Sequence, residues 1–446
     1  MFFEKKKAAQ PEFWITADQV VASAQTGFYE QLEETLESFG FAAKVRALCE
    51  PASDKRGVGW PGIDPVIYLK MIMVGFFEDL PSERAIAARG ADSMSIRAFL
   101  NYELPEKTPA HSSFTVIRQR LGLDIYQQIF TLTQQALRAQ GLLRGKNRGI
   151  DSSVIEANAS LRALGQRNTE EQYWDYVKRL AAQSGLDPKD AAAVRTFDRP
   201  RPGKGSNAEW ANPHDPDAKI GGTKDGATAM IYKPETVVDL DTGALGQAEV
   251  NPGGQADHKE VAPRVLEAPQ TSNPACEQPL ATLTVTSVTS DKGYYAVDQL
   301  EPPQQRAGRA ARRSVKSTSG KALLRRRGLH IARSFAHILD CGGMSRTTLR
   351  GWENLNKRFK LAAAFANLSQ LLGKLFGFGT PKQLAAARRS RGPGLFWRVA
   401  AVSVQLTAGV DEITLSWRCA GSEFSKFLPF YRNANWPENR VVSTGC

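Results

Sequence analysis

The sequence predicts a mixed α/β chain, and three observations carry that expectation. The N-terminal third shows apolar residues at helical spacing, the centre shows strand-like runs separated by turn residues, and helical periodicity returns after a basic stretch. An all-α or all-β layout would show a single period throughout.

From Phe13 to about Leu142 the signals are helical. Phe28, Leu32, Leu36 and Phe39 recur at i, i+4, i+8 and i+11, the stripe of a helix lying on a core. Asp64 and Pro65 read as N-cap and first helical residue before an apolar run to Phe77, and Ser82 restarts a helix after Pro81. Ser112 precedes Phe114, Ile117 and Leu121, with Arg118 and Arg120 beside them. Short helices with basic edges suit a DNA-binding module, and the same pattern describes any small helical bundle.

The pattern changes at Arg148. Arg148-Gly149-Ile150-Asp151 reads as a strand end, with Ser152 to Ala159 continuing as helix or turn. A helical insertion follows, with Thr169 and Gln172 as a capping box, Tyr173, Val177 and Leu180 on one face, and a second helix starting at Asp187-Pro188. Residues 199–225 form a long polar loop. Met230–Asp239 and Ala244–Val250 make a hairpin around Leu240 to Gly243. A helix over His258–Leu266 and a strand over Leu283–Val288 lead to Ser290-Asp291. After Phe376 a Pro/Gly/Arg break precedes a tail with weak strand character. The expected division is a helical N-terminal domain over 13–142, a catalytic domain over 143–376 with its insertion at about 160–198, and a tail over 377–446.

The chain has 446 residues and a net charge of +12. Ten lysines and arginines with no acid between them, Arg306, Arg309, Arg312, Arg313, Lys316, Lys321, Arg325, Arg326, Arg327 and Arg333, hold most of that excess. Such a block repels itself, so a solvated linker or a polyanion track are the two readings, and DNA is the partner that fits the second. The longest apolar run, Val66–Phe77, is interrupted by Lys70 and too short for a bilayer, and Met1–Lys7 opens with charge. A soluble, cytoplasmic protein without a membrane is expected. Five cysteines with no Cys-x-x-Cys pair argue against a disulfide framework and a zinc site.

Two aspartates ending neighbouring strands, Asp151 and Asp291, are what a magnesium site needs; a turn or N-cap role is the plain alternative. Asp239 and Asp241 compete for that role, but Thr242 and Gly243 beside them suggest turn duty. The five histidines are scattered, and His330 and His337 share a helix face without forming a ligand set.

Residues 332–344 read Ala-Arg-Ser-Phe-Ala-His-Ile-Leu-Asp-Cys-Gly-Gly-Met, and Thr-Thr-Leu-Arg-Gly-Trp-Glu-Asn-Leu-Asn-Lys-Arg follows. This block resembles the DDE transposases of bacterial insertion sequences. Gly62-Ile63-Asp64-Pro65 with Ser82-Glu83-Arg84, Gly149-Ile150-Asp151-Ser152-Ser153, Tyr232-Lys233-Pro234-Glu235 with Val237-Val238-Asp239, and Ser290-Asp291-Lys292-Gly293-Tyr294 resemble further segments in the family's order. The resemblance implies a helical N-terminal domain that binds element ends and an RNase H-like catalytic domain. It implies a pair of Mg2+ or Mn2+ ions held by two aspartates and a glutamate, double-stranded DNA (terminal inverted repeats and target) as partner, a homo-oligomer on DNA, and a place at the bacterial nucleoid. Asp151 and Asp291 match the first two carboxylates. The third position, glutamate in the family, is Ala332 here. A methyl group binds no cation, and losing a ligand worth about 4 kcal/mol costs roughly a thousandfold in rate. Asp340 and Glu353 are the neighbouring acids. The expectation is a DDE transposase with impaired strand cleavage. The alternatives are a catalytically dead DNA-binding relative and a metal-dependent nuclease of the same fold.

Overall fold

A computed structural model describes residues 24–52, 63–103, 105–169, 171–202, 205–254, 287–290, 316–341 and 343–390. The chain divides into two compact units, Met1–Ala386 and Ala387–Cys446, and the first holds every described element but the end of the last helix. It is mixed α/β, as the sequence predicts.

The N-terminal helices are α1 (Ala24–Ser38), α2 (Phe41–Cys49), α3 (Pro65–Phe77), α4 (Glu83–Asp92), α5 (Met94–Phe99), α6 (His111–Arg120) and α7 (Leu123–Ala139). Phe28, Leu32 and Leu36 are buried as the stripe requires, with Phe39 packed at the margin. Asp64 caps α3 by accepting from the Val66 amide at 2.9 Å, and Pro65 fills the first position, where no N–H is needed. Helix α3 is apolar on nearly every side and is buried accordingly. Its one charge, Lys70, donates to Glu33 at 2.7 Å and to the Phe99 carbonyl at 2.9 Å. Ser82 caps α4 through the Ala85 amide. Helix α6 opens at His111 with no side-chain cap from Ala110, and Phe114 on it is buried.

The sheet region begins with β1 (Asn147–Ser152) and β2 (Ile155–Glu156), so the segment after Asp151 continues as strand. The insertion holds β3 (Gly165–Gln166), α8 (Tyr173–Gln183), α9 (Ala191–Asp198) and β4 (Trp210–Ala211). Thr169 does not cap α8; its amide and hydroxyl both donate to Gln166 in a turn, and Gln172 stands at the cap position. Helix α9 starts later than Asp187-Pro188, where Asp190 accepts from the Ala192 and Ala193 amides. Trp210 is buried against Tyr173 and Tyr176, at centroid distances of 4.9 and 5.3 Å.

The polar stretch then yields β5 (Lys219–Gly222), followed by β6 (Thr228–Asp239), β7 (Leu245–Pro252) and β8 (Ser287–Thr289). The hairpin of β6 and β7 forms as expected, with Val237 opposite Gln247. Strand β6 is central, with β1 and β2 along one side and β5 and β7 along the other. Pro234 lies within it, where the chain passes from β1 to β2, and its carbonyl accepts from the Ser153 amide. A residue without an N–H is tolerated there because the ladder is interrupted. The predicted helix over His258–Leu266, residues 283–286 of the predicted strand and the tail beyond residue 390 lie outside the described residues.

Three helices close the unit: α10 (Thr318–Phe335), continued by a π-helical segment over Ala336–Cys341, α11 (Trp352–Phe376) and α12 (Pro381–Ser390). The stretch Trp352–Arg388 is long and apolar enough to pass for a membrane span, yet 61% of its most apolar window is buried within the protein. Helix α11 packs against α7 and β7. Its polar side chains bond the open edge of β7. Asn356 accepts from the Val250 amide at 2.8 Å and donates to the Val250 carbonyl at 2.9 Å, while Asn367 makes the same pair with Leu245 at 2.9 and 3.0 Å. Trp352 Nε1 donates to the Val250 carbonyl and Lys360 Nζ to that of Ala248. A buried strand edge demands such partners.

Replacing Asn367 by leucine strands the buried Leu245 amide, while the Leu245 carbonyl keeps the longer bond from Gln134 Nε2 at 3.3 Å, so urea unfolding should show a loss of about 1–3 kcal/mol. A loss below about 0.5 kcal/mol would show that the edge of β7 is held by something else.

Candidate functional site

Strand β1 carries Asp151 and lies under α10. Residues 149 and 151 point to one face of the sheet, with Thr236 and Val238 of β6 beside them in register. Gly149 lets the helix sit close, since a Cβ there would come 2.6 Å from Leu240 Cδ2 and 3.3 Å from Ile331 Cδ1. Arg327 and Ile331, one turn apart, are thus the α10 residues turned toward β1.

Arg327 reaches Asp151. Its Nη2 stands 2.8 Å from Asp151 Oδ2 as an ion pair by distance, without an aligned hydrogen bond from that nitrogen. Its Nε donates to the Ile150 carbonyl at 3.2 Å, and Asp151 Oδ1 accepts from the Ser152 amide at 2.9 Å. The arginine side chain is 12% exposed and the aspartate 34%, so the pair is screened from water on the arginine side only.

Ala332 is exposed and lies five residues beyond Arg327, about 140° round the helix and 7.5 Å along it. The position matching the family's glutamate therefore does not face Asp151 in this structure. Glu353 pairs with Lys357 at 2.7 Å.

On the other side of β1, strand β8 runs parallel to it, with Asn147, Arg148 and Gly149 opposite Ser287, Val288 and Thr289. Ser287 Oγ donates to Asn147 Oδ1 at 2.7 Å and fixes this start of the pairing. Asp291, Arg306, Arg309, Arg312 and Arg313 lie outside the described residues.

Lys316, Lys321, Arg325, Arg326 and Arg333 are exposed on α10 or just before it, so five of the ten expected cations face solvent. Arg326 also pairs with Asp241 at 3.1 Å. Burial, then Arg333 nearby, lowers the pKa of His330 from its ordinary value; its ring packs over Gly243. Burial likewise lowers that of His337, whose ring lies on Phe76 at 5.2 Å. Among the described residues, no three His, Cys, Asp or Glu side chains cluster as a metal site.

Asp239 and Asp241 serve the hairpin turn. Asp239 Oδ2 accepts from the Arg144 and Gly145 amides at 2.6 and 2.8 Å, and its Oδ1 from the Asp241 amide at 2.9 Å. Three backbone donors leave little of that carboxylate for a ligand. Asp241 accepts from Asn147 Nδ2 at 2.9 Å.

Helices α1 to α6 carry a recognisable domain. Residues 16–120 match the family model described as a transposase domain (DUF772). No curated protein and no solved structure matches the chain. The match supports a transposase role for the chain and, in general terms, DNA as the molecule it acts on. The Gly-Ile-Asp-Pro segment and Ser-Glu-Arg at residues 82–84, which carried the N-terminal part of the resemblance, fall inside the matched stretch. Sequence reasoning missed the Arg327–Asp151 pair; the only signal was the arginine run itself.

Asp239→Ala should lower stability by about 2–4 kcal/mol, because three amides lose a charged acceptor, while Asp241→Ala, which loses the Arg326 ion pair and one acceptor for Asn147 Nδ2, should cost less, about 1–2 kcal/mol. Equal losses in chemical denaturation would contradict the structural role given to Asp239.

Proposed function

We propose that this chain is a DDE-type transposase relative with an RNase H-like catalytic domain, that it binds insertion-sequence DNA, and that its strand cleavage is severely impaired. The observation that carries the reading is the register of β8 on β1. Paired residues there stand 140 positions apart, and so do Asp151 and Asp291. An equal offset on adjacent parallel strands is what a paired carboxylate site built from two such aspartates would need.

The impairment rests on the donor set. A Mg2+ or Mn2+ pair needs several hard oxygen ligands. Here the described carboxylate is engaged by Arg327, and the position of the expected glutamate is a methyl group directed away from it. These residues do not complete a divalent-ion site, so no cleavage step is assigned to one. A guanidinium at Asp151 favours the binding-only relative over a metal-dependent nuclease. Binding falls to the basic face of α10, where Lys316, Lys321, Arg325, Arg326 and Arg333 would follow the phosphates without reading sequence, and to the N-terminal helices for the element's ends.

Three measurements test the reading. With six to ten phosphate contacts, affinity for a duplex oligonucleotide should fall about 10³–10⁵-fold between 50 and 200 mM salt, and a flat response would remove the phosphate track. The purified chain should not nick an end-bearing duplex with Mg2+ or Mn2+; nicking that Asp151→Asn abolishes would disprove the impairment. Arg327→Ala should tighten Mn2+ binding, followed by electron paramagnetic resonance, by about fivefold, the equivalent of an ion pair worth about 1 kcal/mol. An unchanged affinity would mean that Arg327 does not compete for Asp151.

A further inference from the structure

A cleft of about 50 Å³ opens between the start of α4, the segment after the π-helical turn and the first turns of α11, remote in sequence from Asp151. Ser82, Glu83, Ile86, Thr348, Leu349 and Arg358 are among its lining residues. Arg358 comes from α11 on the side away from β7, and among the described residues it makes no hydrogen bond and no ion pair. Its neighbours do not compensate it. Glu83 is the carboxylate that acts on it, but Glu83 Oε1 already accepts from Arg118 Nη1, and its Oε2 accepts from Thr115 Oγ1 at 3.3 Å. Two guanidinium groups therefore share one carboxylate, and the cleft keeps an excess positive charge.

That charge is held at a cost. Burial pulls the Arg358 pKa down from its ordinary value, with Tyr68 and Glu83 opposing and Arg118 adding to the fall. A guanidinium does not deprotonate in proteins, so it is stabilised by an oxyanion matching its planar fork. Exposed Ser82 and Thr348, each with a hydroxyl, are among the residues that line the same space. The space holds a few water molecules, which suits one tetrahedral oxyanion and excludes a base or a nucleoside.

We propose that this cleft is a phosphate-binding site and that, resting on the DNA-binding reading above, the group it takes in the complex is a backbone phosphodiester. It would place a DNA contact at the junction between the matched transposase domain and the helix that supports β7. One phosphate would then be fixed against both parts of the protein, at a place the basic run on α10 does not reach.

The test uses the full chain with inorganic phosphate as probe, at constant ionic strength set with chloride. Phosphate should raise the wild-type Tm and leave that of Arg358→Met unmoved. Thr348→Val, which keeps the guanidinium, should weaken the phosphate response without changing the Tm in phosphate-free buffer. In that buffer Arg358→Met should be at least as stable as the wild type, since the lost group has no bonding partner. A lower Tm would identify Arg358 as a structural counter-charge for Glu83 and overturn the site, as would an equal phosphate response in wild type and variant. In the DNA arm, Arg358→Met should reduce the slope of log affinity against log salt by about one. A lost phosphate response with an unchanged slope overturns the phosphodiester assignment and leaves a site for free phosphate. Absence of any DNA binding by the wild type, with the phosphate response intact, would instead count against the transposase reading.

Discussion

The open edge of β7 is the constraint on which the rest of the unit depends. A strand inside a protein with one unpaired side exposes a row of amides and carbonyls that water cannot reach. Helix α11 supplies their partners from side chains, through Trp352, Asn356, Lys360 and Asn367. Because these bonds are directional, they hold the helix at one height and one rotation against the sheet. Helix α7 joins the same junction: Lys360 also meets Gln127 at 2.7 Å, and Gln134 donates to the Gly246 carbonyl of β7 at 2.6 Å. A helix of average composition packed on this edge would leave the strand's polar groups orphaned, at about 1–3 kcal/mol each.

The same fixed frame explains how a charge-rich segment comes to rest on β1. With the sheet held from the β7 side, Gly149 offers a flat approach on β1, and α10 settles there through Ile331 and Arg327. The arginine that meets Asp151 sets a fixed guanidinium beside the carboxylate, and one member of the basic run leaves the surface. The remaining exposed cations stay in water, available to a polyanion. This partition ties the electrostatics of α10 to the chemistry that β1 can support. It also fits the transposase domain in the N-terminal helices, since a protein that grips DNA needs its cations outward.

Local order was legible where the physics is local. The stripe Phe28, Leu32, Leu36 placed α1 on a core, Asp64-Pro65 placed the start of α3, and Leu240 to Gly243 placed the hairpin turn. The misplaced starts were those resting on one polar residue among several equivalent ones. Thr169 is diverted by Gln166, whose side-chain oxygen outcompetes a cap three residues on. Asp187 and Asp190 are both sound caps, and the packing of Val194 chooses the second.

By itself the chain of residues determined the mixed α/β class, the helical start, the central hairpin, the turn role of Asp239 and the concentration of positive charge. Each of these follows from contacts within a few residues or from composition. Only the tertiary structure decided that β8 lies parallel to β1 at an offset of 140, that Arg327 and not residue 332 turns to Asp151, and that Arg358 lines a cleft beside a carboxylate already engaged by Arg118. The reason is geometric. A helix has one rotation about its axis relative to its neighbours, and a strand one register, and both are set by groups more than a hundred positions away in the sequence.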